Sequence, residues 1–312
     1  MEVIKGYEEI PPRLNGAYVT IGNFDGVHLG HRYIFEKLTR EAHADGHPAV
    51  AITFEPHPKM IIHPERKPFY LITSLVEKIE LLGQQGLDAL VLIPFSLDFA
   101  KMTAENFIRR VLWDKLRLTK ILIGHDYTFG QGKEGNETFL KVFGEKLGFN
   151  VEVMDAFMMS DVIISSTRIR NAIQAGDVKS AARYLGRPYN MKGIVVEGHH
   201  RGEGLGFPTA NIEPEKVLLP AAGVYVARVH LEGHTYDAVL NIGSNPTFGD
   251  NKQTLEVFVL DFRERIYGKQ MEVLFIEKLR DEKKFSGPDE LVGQIKLDVN
   301  RARAILAADS QH

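Results

Sequence analysis

Short apolar runs alternate with amphipathic stretches through the first 186 residues of the chain. The runs are rich in β-branched residues, which favours strands, and they predict strands over 17–22, 49–54, 89–93, 120–124 and 151–154. The stretches between them repeat apolar residues at helical spacing and predict helices over roughly 31–44, 74–84, 103–117 and 136–147. Strands that alternate with helices in this way predict an α/β domain with a parallel, doubly wound sheet.

The pattern changes after Gly186-Arg187-Pro188. Short strand-like runs separated by Gly and Pro turns then recur over 192–197, 223–230, 235–242, 254–262 and 270–277. Such spacing is typical of an antiparallel β-barrel or sandwich. A last helix is predicted over 288–307. The sequence therefore predicts two domains, residues 1–186 and residues 187–312.

The stretch Gly22–His31 joins the first predicted strand to the first predicted helix. Glycines allow the backbone to approach a ligand closely, and the free N–H groups at a helix start attract phosphate. His28 and His31 are three residues apart and project toward the same anion. We therefore predict phosphate contacts here, from Gly22, Asn23, Phe24, Asp25, Gly26 and Gly30. The alternatives are an exposed tight turn, or a zinc site that lacks further ligands because the chain has no cysteine.

Polar and aromatic residues also follow two other predicted strands. His57 and Pro58 come after the second strand, and Asp126 and Phe129 come after the fourth. Ligands of doubly wound sheets bind beyond the carboxyl ends of the strands. We therefore expect one site to collect these residues together with the glycine-rich turn, with Asp126 among its phosphate contacts.

A helix start is predicted near the segment Ile-Ser-Ser-Thr-Arg-Ile-Arg at residues 164–170. Ser165, Ser166 and Thr167 provide hydroxyls at its N-terminus. Arg168 lies in the first turn, where a cation opposes the helix dipole, and a bound polyphosphate would remove that conflict. The alternative is a capped helix without a ligand.

The predicted second domain has its own glycine-rich segment. Gly202, Gly204 and Gly206 suit a loop that wraps phosphates. Thr209 and Asn211 alternate, so both point to one side of an extended strand. Their hydroxyl and amide oxygens suit Mg²⁺ bound together with nucleotide phosphates. The alternative is an ordinary hairpin loop.

Glu256 interrupts a nearly continuous apolar strand, on the same side as Phe258 and Leu260. A carboxylate with apolar neighbours can have a raised pKa and act as a general base. The alternative is a strand residue that faces solvent.

Composition narrows the class of protein. The formal net charge is −3 and no long basic run occurs, which argues against a nucleic-acid-binding protein. No apolar run approaches the ~18 residues of a membrane span, and the N-terminus lacks the apolar core of a signal peptide. The absence of cysteine is compatible with a reducing compartment. We expect a cytoplasmic protein that acts on small molecules, away from nucleic acid and membranes and without an obligate protein partner.

Eight motifs resemble those of the bacterial bifunctional riboflavin kinase/FMN adenylyltransferases, also called FAD synthetases. Gly22–His31 is similar to the HxGH-type nucleotidyltransferase motif, and three further adenylyltransferase motifs are TFEPHP (53–58), GHDYTFG (124–130) and ISSTRIR (164–170). Four motifs resemble those of the family's riboflavin kinase half: LGFPTAN (205–211), GVYVA (223–227), NIGSNPTF (241–248) and EVFVLDF (256–262). The motifs follow the family's order and cover nearly the whole chain.

The resemblance implies a Rossmann-like nucleotidyltransferase domain of the HxGH type, followed by an antiparallel β-barrel riboflavin kinase domain with a C-terminal helix. It implies that Mg-ATP phosphorylates riboflavin in the second domain and that FMN and a second ATP give FAD and pyrophosphate in the first. His28, His31 and Arg168 would then stabilise charge in adenylyl transfer. Glu256 would be the base of the kinase, beside Mg²⁺ on Thr209 and Asn211.

Flavin is a flat aromatic ligand that needs apolar or aromatic walls, and the resemblance implies His57, Pro58 and Phe129 as those walls. The chain departs from the family pattern at Glu203, where a basic residue is frequent, and at Tyr127 and Thr128, where Phe and Arg are common.

Two other functions compete with FAD synthesis as interpretations of this sequence. One is another nucleotidyltransferase, such as a cytidylyltransferase, against which the FPTAN segment argues. The other is a flavin-sensing or kinase-only protein with an inactive nucleotidyltransferase module, against which the intact His28, His31, Ser166 and Arg168 argue.

Overall fold

The protein consists of two compact units, Met1–Ser166 and Thr167–His312. The computed structural model describes residues 1–66, 69–198, 204, 206–244 and 253–309. The first unit is built on a parallel sheet and the second on a closed antiparallel barrel.

The first unit has a six-stranded sheet in which all neighbouring strands are parallel. In chain order the strands are β1 (Glu2–Lys5), β2 (Tyr18–Ile21), β3 (Ala49–Glu55), β4 (Ala89–Pro94), β5 (Lys120–Gly124) and β6 (Asn150–Met154). Their spatial order is β1-β4-β3-β2-β5-β6. This confirms the predicted doubly wound sheet. The sequence did not indicate β1, because only Ile4 of its four residues is buried.

Helices cover both faces of this sheet. They are α1 (Leu29–Ala44), α2 (Pro58–Ile62), α3 (Leu75–Gly83), α4 (Ala104–Phe107), α5 (Asp114–Leu116) and α6 (Glu137–Leu147). The predicted helix over 103–117 begins as expected, with the Thr103 hydroxyl accepting the Asn106 N–H at 3.2 Å. It widens into a π-helical turn over residues 108–113, which separates α4 from α5. A short hairpin, β7 (Met158–Met159) and β8 (Val162–Ile163), precedes the end of the unit.

The strands β2 to β5 bury residues on both faces of the sheet. In β3, Val50 and Ile52 belong to one hydrophobic cluster, while Ala49 and Ala51 belong to the other. This explains why the strands read as continuous apolar runs. The spatial order reverses between β2 and β5, and a crevice at the carboxyl ends of such strands is where doubly wound sheets bind ligands.

The second unit begins within α7 (Ser166–Gln174), whose first residue ends the first unit, and it also contains α8 (Val178–Leu185). Six strands then close a barrel in the order β10-β13-β12-β11-β14-β9. Their bounds are β9 (Tyr189–Val196), β10 (Ala210–Pro214), β11 (Gly223–Leu231), β12 (His234–Ser244), β13 (Gln253–Val259) and β14 (Gln270–Arg280). The closed sheet decides between the predicted barrel and sandwich in favour of the barrel.

The barrel is packed on the outside as well as the inside. The last helix, α9 (Pro288–Asp309), shares a hydrophobic cluster with the outer faces of the strands, made of Val224, Val226, Val239, Leu260, Leu279, Ala302 and Leu306. The Arg280 guanidinium donates to the buried Asp298 carboxylate of α9 at 2.9 and 3.0 Å. On α8, Lys179 pairs with Glu277 of β14 at 2.7 Å. Both helices therefore belong to the barrel's own packing.

Candidate active sites

The turn between β2 and α1 has an unusual backbone. Phe24 and Val27 adopt φ angles of 49° and 40°, although neither is a glycine, and Gly26 adopts 86°. Left-handed φ is strained for a β-branched residue and costs on the order of 1–3 kcal/mol. Such conformations persist where the surroundings determine them, and they cluster at functional sites. Gly22 fits because a Cβ there would lie 2.7 Å from the Phe24 ring.

The carboxylate of Asp25 clamps this turn. It is buried, and it accepts the backbone N–H groups of Ile72 at 3.0 Å and Thr73 at 3.2 Å. The Thr73 hydroxyl accepts the N–H of Gly26 at 3.1 Å. The turn is thereby fixed to the loop before α3, a segment that the sequence motifs did not include.

Two more hydrogen bonds hold the backbone carbonyls of the turn. The Thr53 hydroxyl of β3 donates to the Asn23 carbonyl at 3.3 Å. The Ser166 hydroxyl donates to the Asp25 carbonyl at 2.8 Å. The ISSTRIR segment and the glycine-rich turn therefore meet through Ser166.

His28 and His31 form a stacked pair at the start of α1. Their ring centroids are 3.6 Å apart with 19° between the planes, and the Phe24 ring meets His31 edge-on at 5.3 Å. The Nδ1 of His28 accepts the His31 N–H at 3.3 Å, so His28 is the N-cap. An accepting Nδ1 leaves the proton of the neutral ring on Nε2, which is then a donor.

A positive charge on the His31 ring is disfavoured. Burial lowers the pKa of His31 well below its usual value, and the neighbouring His28 lowers it further. His31 is therefore neutral at pH 7. Within the part of the chain that the structure describes, the Nδ1 of His31 and the Nε of Arg32 are buried and find no hydrogen-bond partner. Together with the first N–H groups of α1 they form a set of groups suited to phosphate oxygens. Sequence reasoning missed Arg32.

The predicted flavin-facing residues lie in two places. His57 caps α2 by accepting the Lys59 N–H at 3.1 Å, with Pro58 as the first residue of that helix. The His57 ring packs against Phe69 at 4.6 Å, a neighbour that the motifs did not reveal. Phe129 is 8% exposed, stacks on Tyr127 at 5.5 Å and belongs to the core of the unit.

The remaining predicted contacts of the first site fall on both sides of the division between units. Asp126 is exposed just after β5, at the same sheet edge as the glycine-rich turn, and Ser165 is half-buried. Thr167 and Arg168 belong to the second compact unit and are both exposed.

Three polar residues of the second unit share one row across the barrel. Asn211 of β10 lies opposite Glu256 of β13, which lies opposite Asn241 of β12. Directly opposite residues share a face, with Cβ atoms about 4.5–5.5 Å apart. Leu255 and Val257 point the other way and are buried, so the row lies on the outer face of the barrel. Among the sequence motifs, Asn241 was only the first residue of NIGSNPTF (241–248).

Aromatic residues border this row. Phe258, two residues after Glu256 and on the same face, meets the ring of Phe207 at 5.5 Å. The Asn211 amide lies directly against Gly198, where a Cβ has no room. The row thus combines a carboxylate, two amides and an apolar border, which suits a polar chain attached to a flat ring.

The glycine-rich loop before β10 is described in part. Gly204 and Gly206 are exposed, Gly206 with φ 84°, and Thr209 is half-buried next to the start of β10. Gly202 lies outside the described residues, as do Glu203, Leu205 and residues 245–248 of the NIGSNPTF segment. Among the side chains that the structure describes, no three His, Asp or Glu residues are grouped as metal ligands.

Comparisons with known proteins match both units. The FAD synthetase family matches residues 10–168, and the riboflavin kinase family matches residues 185–306. A bifunctional riboflavin kinase/FMN adenylyltransferase of Pseudomonas fluorescens is 37% identical over 100% of both chains. The protein of the same description from Escherichia coli K12 is 36% identical over 97% of both chains.

A solved structure has the same fold over nearly the whole length. It is described as a macrolide-efflux protein from Streptococcus pneumoniae, is 34% identical, and covers 97% of this chain and 99% of its own, with a TM-score of 0.88. Across the described ranges, the present chain has no helix that is both long and apolar enough to cross a membrane.

Proposed function

The chain belongs to the family of bifunctional riboflavin kinase/FMN adenylyltransferases, and we propose that the turn Gly22–His31 carries its adenylyl transfer and the row Asn211–Glu256–Asn241 its phosphoryl transfer. The enzyme makes FAD in two steps, each with ATP as the donor. The observation that supports the first assignment best is the stacked, buried pair His28 and His31 at the start of α1, beside the sheet's switch point.

In adenylyl transfer a phosphate oxygen of FMN attacks the α-phosphorus of ATP. The bond from that phosphorus to the bridging oxygen breaks, and pyrophosphate leaves. No covalent enzyme intermediate is needed, so the enzyme contributes position and charge stabilisation. The Nε2–H of His28, the His31 ring and the N–H groups of α1 donate to the phosphate oxygens where negative charge develops. The family's ISSTRIR motif is the ground for adding Arg168 as a cation in this step.

In phosphoryl transfer the 5′-hydroxyl of riboflavin attacks the γ-phosphorus of ATP, and ADP leaves. The Glu256 carboxylate accepts the hydroxyl proton as the new O–P bond forms. Asn241 and Asn211 lie on either side of it in the row and orient the ribityl chain and the nucleotide phosphates. Phe207 and Phe258 cover the apolar part of the flavin.

Mg²⁺ fits the donor chemistry at the start of β10. Thr209 and Asn211 supply one hydroxyl and one amide oxygen, and Mg²⁺ is commonly held by few protein ligands together with nucleotide phosphates. When bound, the ion would neutralise charge on the phosphates of ATP.

Flavin binding in the first unit involves His57, Pro58 and Phe129 in this proposal. The His57–Phe69 pair offers ring surface directly after β3. Because Phe129 is packed in the core, its contribution is to support the Tyr127 ring that stacks on it.

We place the boundary between the adenylyltransferase and riboflavin kinase parts of the chain between residues 186 and 187. The riboflavin kinase family match begins at residue 185, which supports this position.

A cytoplasmic location is also part of the proposal, because both reactions consume ATP. Fractionation of the source cells tests it.

Incubation with riboflavin and Mg-ATP, followed by chromatography, tests the proposal. The whole chain is expected to form FMN and then FAD. A fragment of residues 187–312 is expected to form FMN alone. A folded fragment without kinase activity would overturn the boundary, and FAD formation by that fragment would overturn the assignment of the first site.

A further inference from the structure

One buried charge of the first unit has no part in the reactions described above. Lys78 lies in the second turn of α3, and 7% of its side chain is exposed. An ammonium group in such a place is unfavourable unless carboxylates compensate it. The groups around Lys78 therefore show which parts of the unit its ammonium connects.

Carboxylates from two other segments face Lys78. The Oε2 of Glu55, the last residue of β3, lies 3.7 Å from the Nζ. The negative charge of Asp25, in the glycine-rich turn, also favours the charged form of Lys78. Burial lowers the pKa of Lys78, while the charges of Glu55 and Asp25 raise it. On its own helix the neighbouring Glu77 is buried too.

The chain path ties Lys78 to the clamp on the turn. Ile72 and Thr73, whose N–H groups bind the Asp25 carboxylate, come directly before Ser74, the N-cap of α3. The Lys78 N–H donates to the Ser74 carbonyl at 2.9 Å. Lys78 therefore lies one helical turn after the segment that holds Asp25.

Removal of the ammonium would leave Glu55 without its cation and α3 without its tie to the end of β3. The start of α3 could then shift, together with Ile72 and Thr73, which directly precede it. Their N–H groups would hold the Asp25 carboxylate less firmly, and the strained turn would lose its anchor. His28 and His31, which follow that turn, would then lose their fixed position.

We propose that Lys78 is a positioning residue for adenylyl transfer, whose buried ammonium holds Glu55 and faces Asp25 and thereby fixes the turn that presents His28 and His31. This inference rests on the proposed function of that turn. It assigns to Lys78 no contact with substrate.

The test compares Lys78→Met with Lys78→Arg, which keeps the charge, in the full-length enzyme. Lys141→Met is the matched control, because Lys141 forms an exposed helix pair with Glu137. The measurements are kcat and KM for adenylylation of supplied FMN, with riboflavin phosphorylation in the same preparation as an internal control.

In Lys78→Met we expect kcat of adenylylation to fall on the order of 10- to 100-fold, with phosphorylation unchanged. Lys78→Arg and Lys141→Met keep the kcat of the natural enzyme. The double variant Lys78→Met/Asp25→Asn is no slower than Asp25→Asn alone, because both substitutions act through the same clamp.

The same loss in Lys78→Arg, or an equal loss of riboflavin phosphorylation in Lys78→Met, would overturn the inference and leave Lys78 with a role in folding only. Additive losses in the double variant would overturn it as well. Failure of the proposed function is a separate result: FAD formation would then survive replacement of His28 or His31, whatever the Lys78 variants do.

Discussion

The two candidate sites use different parts of the polypeptide. In the first unit the site depends on backbone: a turn with left-handed Phe24 and Val27, held by hydrogen bonds to Asn23, Asp25 and Gly26. In the second unit it depends on side chains in register on three antiparallel strands. The strand ladder is made of backbone hydrogen bonds, whereas the turn is held by hydrogen bonds of the Asp25, Thr53, Thr73 and Ser166 side chains.

This difference predicts where each activity is vulnerable. Adenylyl transfer should be sensitive to substitutions that move the backbone of the turn, including ones distant from substrate. Phosphoryl transfer should be sensitive mainly to the residues of the row itself. Each half-reaction serves as the control for substitutions in the other unit.

The largest effect is expected for Glu256→Gln. The amide cannot accept the hydroxyl proton, so kinase turnover falls ~10²–10⁴-fold, while riboflavin affinity, measured by fluorescence quenching, and adenylylation of supplied FMN stay intact. Glu277→Gln on β14 is the control, since Glu277 pairs with Lys179. Normal turnover in Glu256→Gln would exclude Glu256 as the base, and loss of binding alone would make it a partner of the ribityl chain.

The next largest effect is expected for His28→Ala and His31→Ala. Loss of a preorganised donor typically costs about 10²–10³-fold in rate, so FAD formation from FMN falls by that factor and FMN formation is spared. His43→Ala on the same helix is the control, because His43 is exposed and pairs with Asp88 at 3.0 Å. Equal loss of both activities in a folded variant would indicate a structural role.

Gly22→Ala tests the backbone dependence of the first site. The new Cβ would press on the Phe24 ring, which lies edge-on to His31. Overpacking of this kind costs about 1–3 kcal/mol, and we expect adenylyl transfer to slow by about 10-fold if that strain reaches the turn. Gly83→Ala meets no atom within 4 Å and is the control. An unaffected rate in Gly22→Ala would show that the turn tolerates displacement.

The smallest effect concerns pH. Because burial lowers the pKa of His31, the unfolded chain binds a proton at about pH 6.5 that the folded protein does not. The contribution of His31 to the free energy of unfolding is therefore complete above about pH 6.5. It is lost as the pH falls below that value, by at most ~1.4 kcal/mol per pH unit.

Denaturant unfolding of the natural enzyme and of His31→Ala between pH 7.5 and 5 measures this effect. As the pH falls, the free energy of unfolding of the natural enzyme should decrease relative to that of His31→Ala. A constant difference across that range would show that His31 titrates normally in the folded state.

The sequence predicted the regular elements of both units because their patterns are strong. The strands β2 to β5 are apolar on both faces, and the barrel strands alternate, so each stands out by periodicity alone. Elements with weak patterns were missed or only partly indicated. β1 buries one residue, and β10 was indicated only by the alternation of Thr209 and Asn211, because it follows a segment of Gly and Pro.

The chemistry of the site was predictable only for residues inside motifs. His28, His31 and Glu256 are visible from their spacing or from their apolar neighbours. Ile72 and Thr73 act through backbone N–H groups, which no side-chain pattern reveals. Lys78 resembles any helix lysine until its burial is known, and the pairing of Asn241 with Glu256 depends on strand register.

The central claim is that two independent sites each carry one step, and mixing two variants tests it most directly. Glu256→Gln lacks the kinase step, and His31→Ala lacks the adenylyl step. With riboflavin and Mg-ATP, each variant alone should form little FAD. An equimolar mixture should form FAD after a lag in which FMN accumulates, at a final rate set by the intact sites. A mixture that forms no more FAD than the separate variants would contradict the account.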